Sequence, residues 1–193
     1  PNLIYHVFSG IFGYQMERIY RDKTYRVFRK TDDPLSRVTV INTEESNIGF
    51  IRKDNDFLNE MFRLLIEDYG FDVDNAAIYY LFDRDPDSNT DSDFIEEMLG
   101  KLWSARDVNP DMMRQGMLLL SYPCIESFIG MNLLDNSLAY CWNKGVQNGH
   151  QLKQTLNQDG ALANKITQET LIKSVEALIT ALNTVGVNTQ ADE

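Results

Sequence analysis

The chain has 193 residues, of which 43% are hydrophobic and 24% are charged, and this composition excludes a disordered or fibrous protein. The length suits one globular domain with enough residues to bury a core. The formal net charge of -11 disfavours simple electrostatic binding of nucleic acid, because a polyanion is repelled unless basic residues are segregated or metal ions neutralise the acids.

Basic residues are unevenly distributed along the chain. Those within the first 40 positions form either a solvated face, which is the commoner meaning of such a run, or a local positive patch: Arg18, Arg21, Lys23, Arg26, Arg29, Lys30 and Arg37. A patch of this kind would be the exception to the repulsion expected from the net charge.

Nothing in the sequence indicates export or membrane insertion. No run approaches the roughly 20 apolar residues that cross a bilayer, and the first residues lack the pattern of a secretory signal. The two cysteines, Cys124 and Cys141, form no CxxC pair and are too few for a disulfide scaffold. We therefore expect a cytoplasmic protein with no membrane contact.

The first part of the chain is expected to alternate strand and helix. Leu3–Phe8 is a short apolar run that ends at a Ser-Gly pair, which is typical of a strand entering a turn. Tyr14–Asp22 is predicted to be a short helix, because its apolar residues fall on one helical face: Met16, Ile19 and Tyr20. Tyr25–Asn42 is predicted to be extended around a proline-containing loop, with Arg37–Ile41 as its strongest strand from its β-branched content.

The middle of the chain has the clearest periodicity. Apolar residues recur at spacings of three and four over Asp56–Tyr69, and Gly70 follows where a left-handed cap is expected, so this segment is predicted to be an amphipathic helix. The apolar run Ala76–Phe82 predicts a strand covered on both faces. A second helix is predicted over Phe94–Leu102, and a further strand over Met117–Tyr122.

The order of these elements predicts the fold class. The segment Asp83–Gly116 contains a helix and has the size of a crossover that joins parallel neighbours. The order β-α-β-α-β-α-β predicts an α/β fold, a three-layer Rossmann-like domain with a mainly parallel four-stranded sheet and an extra C-terminal helix. We expect one domain over residues 1–193, with its core at about 3–130 and a helical part at about 131–186. Thr167 is the predicted cap of the last helix.

The strongest functional candidate is the aspartate-rich turn 83–87, at the end of a buried strand. Side chains alternate along a strand, so Asp83 and Asp85 would project to one side, at the carboxyl end where open α/β sheets place their ligand crevices. Glu126 follows the next strand, and neighbouring strand ends about 4.8 Å apart allow carboxylates to share one hard cation. We predict a Mg²⁺ or Mn²⁺ site held by Asp83, Asp85, Asp87 and Glu126, because a cation would relieve their mutual repulsion.

Other interpretations of these acids are also open. In the first, the acids form only a polar turn and cap the following helix, which is the commoner meaning of an isolated acidic loop: Asp83, Asp85, Asp87, Asp91 and Asp93. An EF-hand loop beginning at Asp83 would need Gly and Glu where Ser88 and Phe94 stand. A phosphatase of the haloacid-dehalogenase type also begins with Asp-x-Asp after a strand, but its pattern continues with Gly-Thr, where this chain has Pro86-Asp87.

The run Ile78–Asp85, followed by a helix and then Leu120–Glu126, resembles the Toprim superfamily. It is most similar to the compact RloB-type Toprim-like proteins of bacterial restriction and phage-defence loci, in which a hydrophobic strand ends in Asp-x-Asp and a later strand in a Pro-Cys-x-Glu-like segment. The resemblance covers about residues 3–130. It implies a four-stranded parallel sheet that binds Mg²⁺ and cuts or joins phosphodiester bonds, with Asp83 and Asp85 as metal ligands and Glu126 as an additional acid.

One position departs from the pattern of that superfamily. The family has a glutamate just after its first strand, in a Glu-Gly turn, where this chain has Ser9-Gly10. A serine does not supply the charged general base that the resemblance implies. Either Glu17 takes its place among the catalytic acids, or the site is catalytically weakened.

Three functions follow as hypotheses. The first is a Mg²⁺-dependent Toprim-like phosphodiesterase or nuclease of phage defence or mobile-element biology, which reaches nucleic acid through metal-assisted phosphate binding. The second is a catalytically degenerate Toprim-like module that binds a protein or nucleotide partner. The third is a small-molecule phosphotransfer enzyme. The resemblance also suggests a separate ATPase as a protein partner.

Overall fold

The computed structural model of the chain describes residues 2–20, 25–33, 35–43, 46–52, 56–67, 70–72, 74–84, 88–111, 114–121, 125, 127, 130, 137–158 and 165–173. The chain forms two compact units, one from Pro1–Glu44 with Glu126–Glu193 and the other from Glu45–Ile125. Within the described residues, no helix is long and apolar enough to cross a membrane.

The first unit begins with a helix. Helix α1 spans Asn2–His6 and continues into a π-helical turn, Val7–Ile11. Tyr5 and Phe8 both pack against Phe28, with ring centroids 5.8 and 6.5 Å apart. Residues three apart share one helical face but point to opposite faces of a strand. The strand predicted for this apolar run is therefore wrong, because packing of both rings on one partner overrides its β-rich composition.

A three-stranded antiparallel sheet follows in the same unit. It is formed in the order β1 (Tyr14–Tyr20), β2 (Tyr25–Lys30) and β3 (Arg37–Ile41). The prediction of a strand over Arg37–Ile41 is confirmed. The helix predicted from Tyr14 is wrong, because these residues pair with β2 through an irregular register that shifts between Met16 and Arg18.

The C-terminal part of this unit is helical where it is described. Helix α4 spans Ser137–Asn143 and helix α5 spans Gly149–Gln158. A further helix, α6, begins at residue 168 and is described as far as 173. Thr167 caps it as predicted, since the backbone N–H of Thr170 donates to its Oγ1 at 3.3 Å. The predicted end of this helix lies outside the described residues.

The second unit contains the two long predicted helices. Helix α2 spans Asp56–Glu67 and helix α3 spans Ser92–Lys101, close to the predicted bounds. Gly70 has a φ of 59°, as expected for the left-handed residue that follows a helix. Both helices form because their apolar residues lie on one face, which is buried against the sheet of this unit.

The sheet of the second unit is mixed. It is formed by β4 (Tyr79–Asp83), β5 (Trp103–Asn109) and β6 (Arg114–Ser121) in the order β4-β6-β5. The predicted parallel pairing of the strands before and after the crossover is confirmed by β4 and β6. The crossover also contains β5, which the sequence did not predict and which pairs with β6 in the antiparallel direction.

The fold class predicted from the sequence is therefore wrong. The structure has two separate three-stranded sheets, one of them wholly antiparallel, instead of one mainly parallel four-stranded sheet. Two physical reasons account for the difference. Short connections in the first unit allow only antiparallel neighbours, whereas parallel strands need a crossover of a dozen or more residues. In the second unit the strand after α3 turns back onto β6 and occupies the edge that a parallel strand would have taken.

The core of the second unit lies on one face of its sheet. Phe82 and Leu118 from β4 and β6 pack there with residues of the helices and of the short 3₁₀ helix at Ile48–Ile51. The buried residues described for this cluster are Ile48, Ile51, Leu58, Phe82, Ile95, Met98, Leu102 and Leu118. The prediction that the strand 76–82 is covered on both faces is wrong, since Tyr79 and Leu81, which alternate with Phe82, are 54% and 49% exposed.

Candidate functional site

Asp83 is the last residue of β4 and lies directly opposite Ser121, the last residue of the parallel strand β6. The hydroxyl of Ser121 donates to Oδ1 of Asp83 at 2.6 Å, and the backbone N–H of Ile125 donates to the same oxygen at 2.8 Å. Two donors on one oxygen stabilise the ionised carboxylate and fix its orientation. The carboxylate of Asp83 is thus held at the shared carboxyl end of two parallel strands, as the sequence predicted for the strand ends.

Asn89 anchors the chain on the far side of the aspartate-rich turn. Its side chain, which is 6% exposed, donates to the backbone carbonyl of Asp83 at 2.8 Å and to that of Ser46 at 2.7 Å. Its Oδ1 accepts from the N–H of Ile48 at 2.9 Å. One buried amide therefore ties the backbone at Asp83 to the segment that leads into the 3₁₀ helix.

The acids after the turn serve the following helix. Asp91 accepts from the backbone N–H of Phe94 at 3.0 Å and so caps the N-terminus of α3. Asp93 lies in the first turn of that helix, where a negative charge is favourable. The alternative interpretation, in which acids of this region form a polar turn and a cap, thus accounts for Asp91 and Asp93. It does not account for Asp83, whose carboxylate binds across strands.

Arg84 brings a cation to the same strand end. Its backbone N–H donates to the carbonyl of Ser121 at 2.7 Å, and its Nη2 donates to Oγ of Ser92 at 3.1 Å. The guanidinium is held beside the start of α3, next in sequence to Asp83. The carboxyl end of β4 therefore presents the fixed carboxylate of Asp83 and the guanidinium of Arg84, and the guanidinium could bind an anion.

Three of the predicted ligands lie outside the described residues: Asp85, Asp87 and Glu126. The structure therefore places Asp83 but leaves the predicted cluster of four carboxylates as a prediction. Within the part of the chain that is described, no group of three or more His, Cys, Asp and Glu side chains is arranged to hold a metal ion. Ile125, which binds Asp83, is the residue before Glu126 in the sequence.

Glu17 and Ser9 belong to the first unit. Glu17 is exposed on β1, at the register shift, and forms an ion pair with Arg29 at 3.0 Å. Ser9 lies in the π-helical turn, where its hydroxyl donates to the carbonyl of Tyr5 at 2.6 Å. The expected comparison of Ser9 with a glutamate after a first strand does not apply, because no strand precedes it in the described residues 2–8.

A second polar cluster lies at the start of β6. Arg114 is 6% exposed, and its Nη2 donates to the carbonyl of Arg52 at 3.0 Å and to Oδ1 of Asn59 at 3.2 Å. The hydroxyl of Tyr80 donates to the carbonyl of Gln115 at 3.2 Å. Burial raises the pKa of Tyr80 above its usual value of 10.0, and the charge of Arg114 only partly opposes this. This cluster joins β4, β6 and α2 and is structural.

The sequence pointed to Asp83 but not to the residues that position it. From the sequence, Ser121 is only a polar residue at a strand end and Asn89 only a turn residue. Their partners are distant along the chain, since Asp83 is 38 positions from Ser121 and Ile48 is 41 positions from Asn89.

Comparison of the chain with protein-family models, with curated proteins and with solved structures finds no match.

Proposed function

We propose that the chain is a Mg²⁺- or Mn²⁺-dependent phosphodiesterase whose centre is formed by Asp83, Asp85 and Glu126. The observation that supports this proposal is the placement of Asp83, with its carboxylate fixed by Ser121 and Ile125 at the shared end of two parallel strands. Strand ends of this kind are where α/β proteins bind ligands. The proposal does not depend on the fold class that the structure corrects.

The donor set fits a hard divalent cation. Carboxylate oxygens are the ligands that Mg²⁺ and Mn²⁺ prefer, and a ligand held by other hydrogen bonds is oriented before the cation arrives. Asp83, Asp85 and Glu126 would hold the cation, with Asp87 as a further ligand. When bound, such a cation binds phosphate oxygens and lowers the pKa of a coordinated water.

The chain itself would contribute orientation and charge. Ser121 and Ile125 hold one oxygen of the Asp83 carboxylate beside the end of β6, which would orient this carboxylate before a ligand binds. Arg84 would bind a non-bridging oxygen of the phosphodiester, because its guanidinium is already positioned by Ser92. Asn89 would hold the backbone of Asp83 in place as the ligand binds.

Cleavage of a phosphodiester substrate tests this proposal. Supercoiled plasmid and bis(p-nitrophenyl) phosphate are incubated with the wild-type protein and Mg²⁺ or Mn²⁺. Hydrolysis is expected only with the cation, and Asp83→Asn is expected to lower the rate about a hundredfold. Asp74→Asn, an exposed aspartate on the loop before β4, is the control with the same charge change and is expected to keep the wild-type rate. Equal rates for both variants would reject Asp83 as part of the centre.

A second candidate is a non-catalytic module that binds a protein or nucleotide. The observation that favours it concerns Glu17, the acid expected to replace the missing catalytic glutamate, because its carboxylate is paired with Arg29 at 3.0 Å. In this case the cation would bind and neither substrate would be cut. The resemblance to Toprim-like proteins adds the proposals of a cytoplasmic role in phage defence or mobile-element biology and of a separate ATPase partner.

A further inference from the structure

The first 43 residues differ in charge from the rest of the chain. They hold seven of the 18 Lys and Arg residues but only four of the 29 Asp and Glu residues. The remainder therefore carries more than the whole net negative charge of the protein. Segregation of this kind is what allows an acidic protein to bind a polyanion at one surface.

Two of these cations, Arg29 and Arg37, lie in one row across the antiparallel sheet of the first unit. Gln15 on β1, Arg29 on β2 and Arg37 on β3 are register partners across the three strands. Side chains alternate along a strand, so this row lies on the face opposite to Phe28, whose ring packs against Tyr5 and Phe8. Two guanidinium groups directly opposite each other on one face repel, and an anion between them would relieve that repulsion.

Arg37 is the more available of the two cations. It is exposed, and within the described part of the chain it forms no ion pair. Arg29 is paired with Glu17, and its Nε is buried without a hydrogen-bond partner among the described residues. A buried N–H without a partner carries a free-energy cost that an incoming acceptor oxygen would remove.

A pocket of about 240 Å³ lies beside this row. It is lined by Gln15, Met16, Glu17, Arg29, Lys30 and Thr31. The lining offers an amide, a guanidinium, an ammonium and a hydroxyl donor, which are the groups that contact phosphate oxygens in proteins. Two acids compete for its cations, because Glu17 in the lining pairs with Arg29 at 3.0 Å and Asp32 pairs with Lys30 at 3.8 Å.

We propose that this row and pocket, Gln15 with Arg29, Lys30 and Arg37, bind the phosphate backbone of a single-stranded nucleic acid. The groups recognised would be anionic phosphate oxygens, which inorganic phosphate also offers. A strand fits better than a lone ion, because the row crosses three strands and spans about 10 Å, the length of two or three successive backbone phosphates. This binding site is separate from the proposed phosphodiesterase centre and does not depend on it, since binding here needs no divalent metal ion.

Fluorescence anisotropy with a labelled single-stranded oligonucleotide of about 20 nucleotides, in EDTA, tests this site apart from any metal centre. Arg37→Gln is expected to weaken binding about tenfold and to lower the slope of log K against log[NaCl] by about 0.7. Arg106→Gln, an exposed arginine on β5, removes the same charge from the second unit and is expected to leave affinity within about twofold. Circular dichroism checks that each variant is folded.

Glu17→Gln supplies a test in the opposite direction. Loss of this carboxylate releases Arg29, so binding is expected to tighten about threefold, which a merely destabilised protein would not do. Equal weakening by Arg37→Gln and Arg106→Gln would overturn the proposal, as would the absence of oligonucleotide binding. Displacement of the oligonucleotide by inorganic phosphate at equal phosphate concentration would also overturn it, because the site would then take single phosphate ions.

Discussion

Ser121 and Asp83 are joined by a hydrogen bond of 2.6 Å between two strand ends that lie side by side and run in the same direction. The bond joins positions 38 residues apart and is reinforced by the N–H of Ile125 on the same carboxylate oxygen. This pair connects the fold to the proposed function, because it fixes the one predicted ligand that the structure describes.

Ser121→Ala is expected to lower the free energy of unfolding by about 1.5 kcal/mol, since a hydrogen bond to a charged group is lost. Affinity for Mn²⁺ is expected to fall about tenfold, because the ligand is no longer oriented. Urea unfolding and calorimetry measure the two effects. Ser104→Ala, which removes a hydroxyl that donates to the carboxylate of Asp107 on β5, is the control, and a similar loss of Mn²⁺ affinity in both variants would contradict the positioning role of Ser121.

Asn89→Ala is expected to be more costly, at about 3 kcal/mol. It leaves the N–H of Ile48 and the carbonyls of Ser46 and Asp83 without their present partner, and buried polar groups without partners are expensive. Asn75→Ala, which removes an exposed amide that donates to Asp72 at 2.7 Å, is expected to change stability by less than about 0.5 kcal/mol. Chemical denaturation distinguishes the two, and equal small effects would mean that Asn89 does not anchor the turn.

Gly116 is predicted to tolerate no side chain. Its φ is +145°, and a Cβ there would lie within 2.8 Å of Cδ2 of Tyr80 and closer still to Cε2, so Gly116→Ala is expected to cost about 3 kcal/mol or more. Gly100 in α3 has open space around it, and Gly100→Ala is expected to stabilise the protein by about 0.5–1 kcal/mol. Thermal unfolding compares the pair. A neutral Gly116→Ala variant would show that the Tyr80 ring moves aside freely.

Tyr80 makes stability depend on alkaline pH. Burial raises the pKa of its hydroxyl above 10.0 in the folded protein, so the unfolded chain loses this proton first. The contribution is fully present below pH 10.0 and is lost as the pH rises from there toward the folded-state pKa. Tyr80→Phe is therefore expected to reduce the fall of unfolding free energy above that pH, measured by urea unfolding at several alkaline pH values. Parallel curves for the two proteins would contradict this assignment.

The helices and the parallel pair were predictable because their signals are local or short in range. Helix α2 has an apolar stripe of period 3.6 and a glycine after its end, which fix its type and its end. The apolar runs of β4 and β6 flank a segment long enough for a crossover, which predicted their parallel pairing. The position of Asp83 at a strand end followed directly from these two elements.

The error at β1 has a specific cause. Met16 pairs with Phe28 and Ile19 pairs with Arg26, because Glu17 is an extra residue in the β1 register. Positions 16 and 19 therefore fall on the same side of the strand although they are three residues apart instead of two. A spacing of three is also the spacing of neighbours on one helical face. A bulge of this kind cannot be recognised from apolar spacing in one sequence.

The missed strand β5 has the opposite problem. Its sequence, Trp103–Asn109, is mostly polar, and Trp103 is 62% exposed, so neither composition nor periodicity predicts a strand. It forms because its backbone pairs with β6, an interaction between segments that local propensity does not report. The partners of Asp83 could not be predicted for the same reason, since Ser121 and Ile125 reach it only through the register of the sheet.

Paramagnetic broadening by Mn²⁺ tests the central claim most directly. In ¹⁵N-labelled protein, substoichiometric Mn²⁺ is expected to broaden the amide signals of Arg84, Asn89, Ser121 and Ile125 first, and Asp83→Asn is expected to abolish this selectivity while Asp74→Asn preserves it. If the acidic surface of α3 around Glu96 and Glu97 broadens first, or if the pattern is the same in Asp83→Asn, the cation does not bind at the end of β4 and the phosphodiesterase proposal fails.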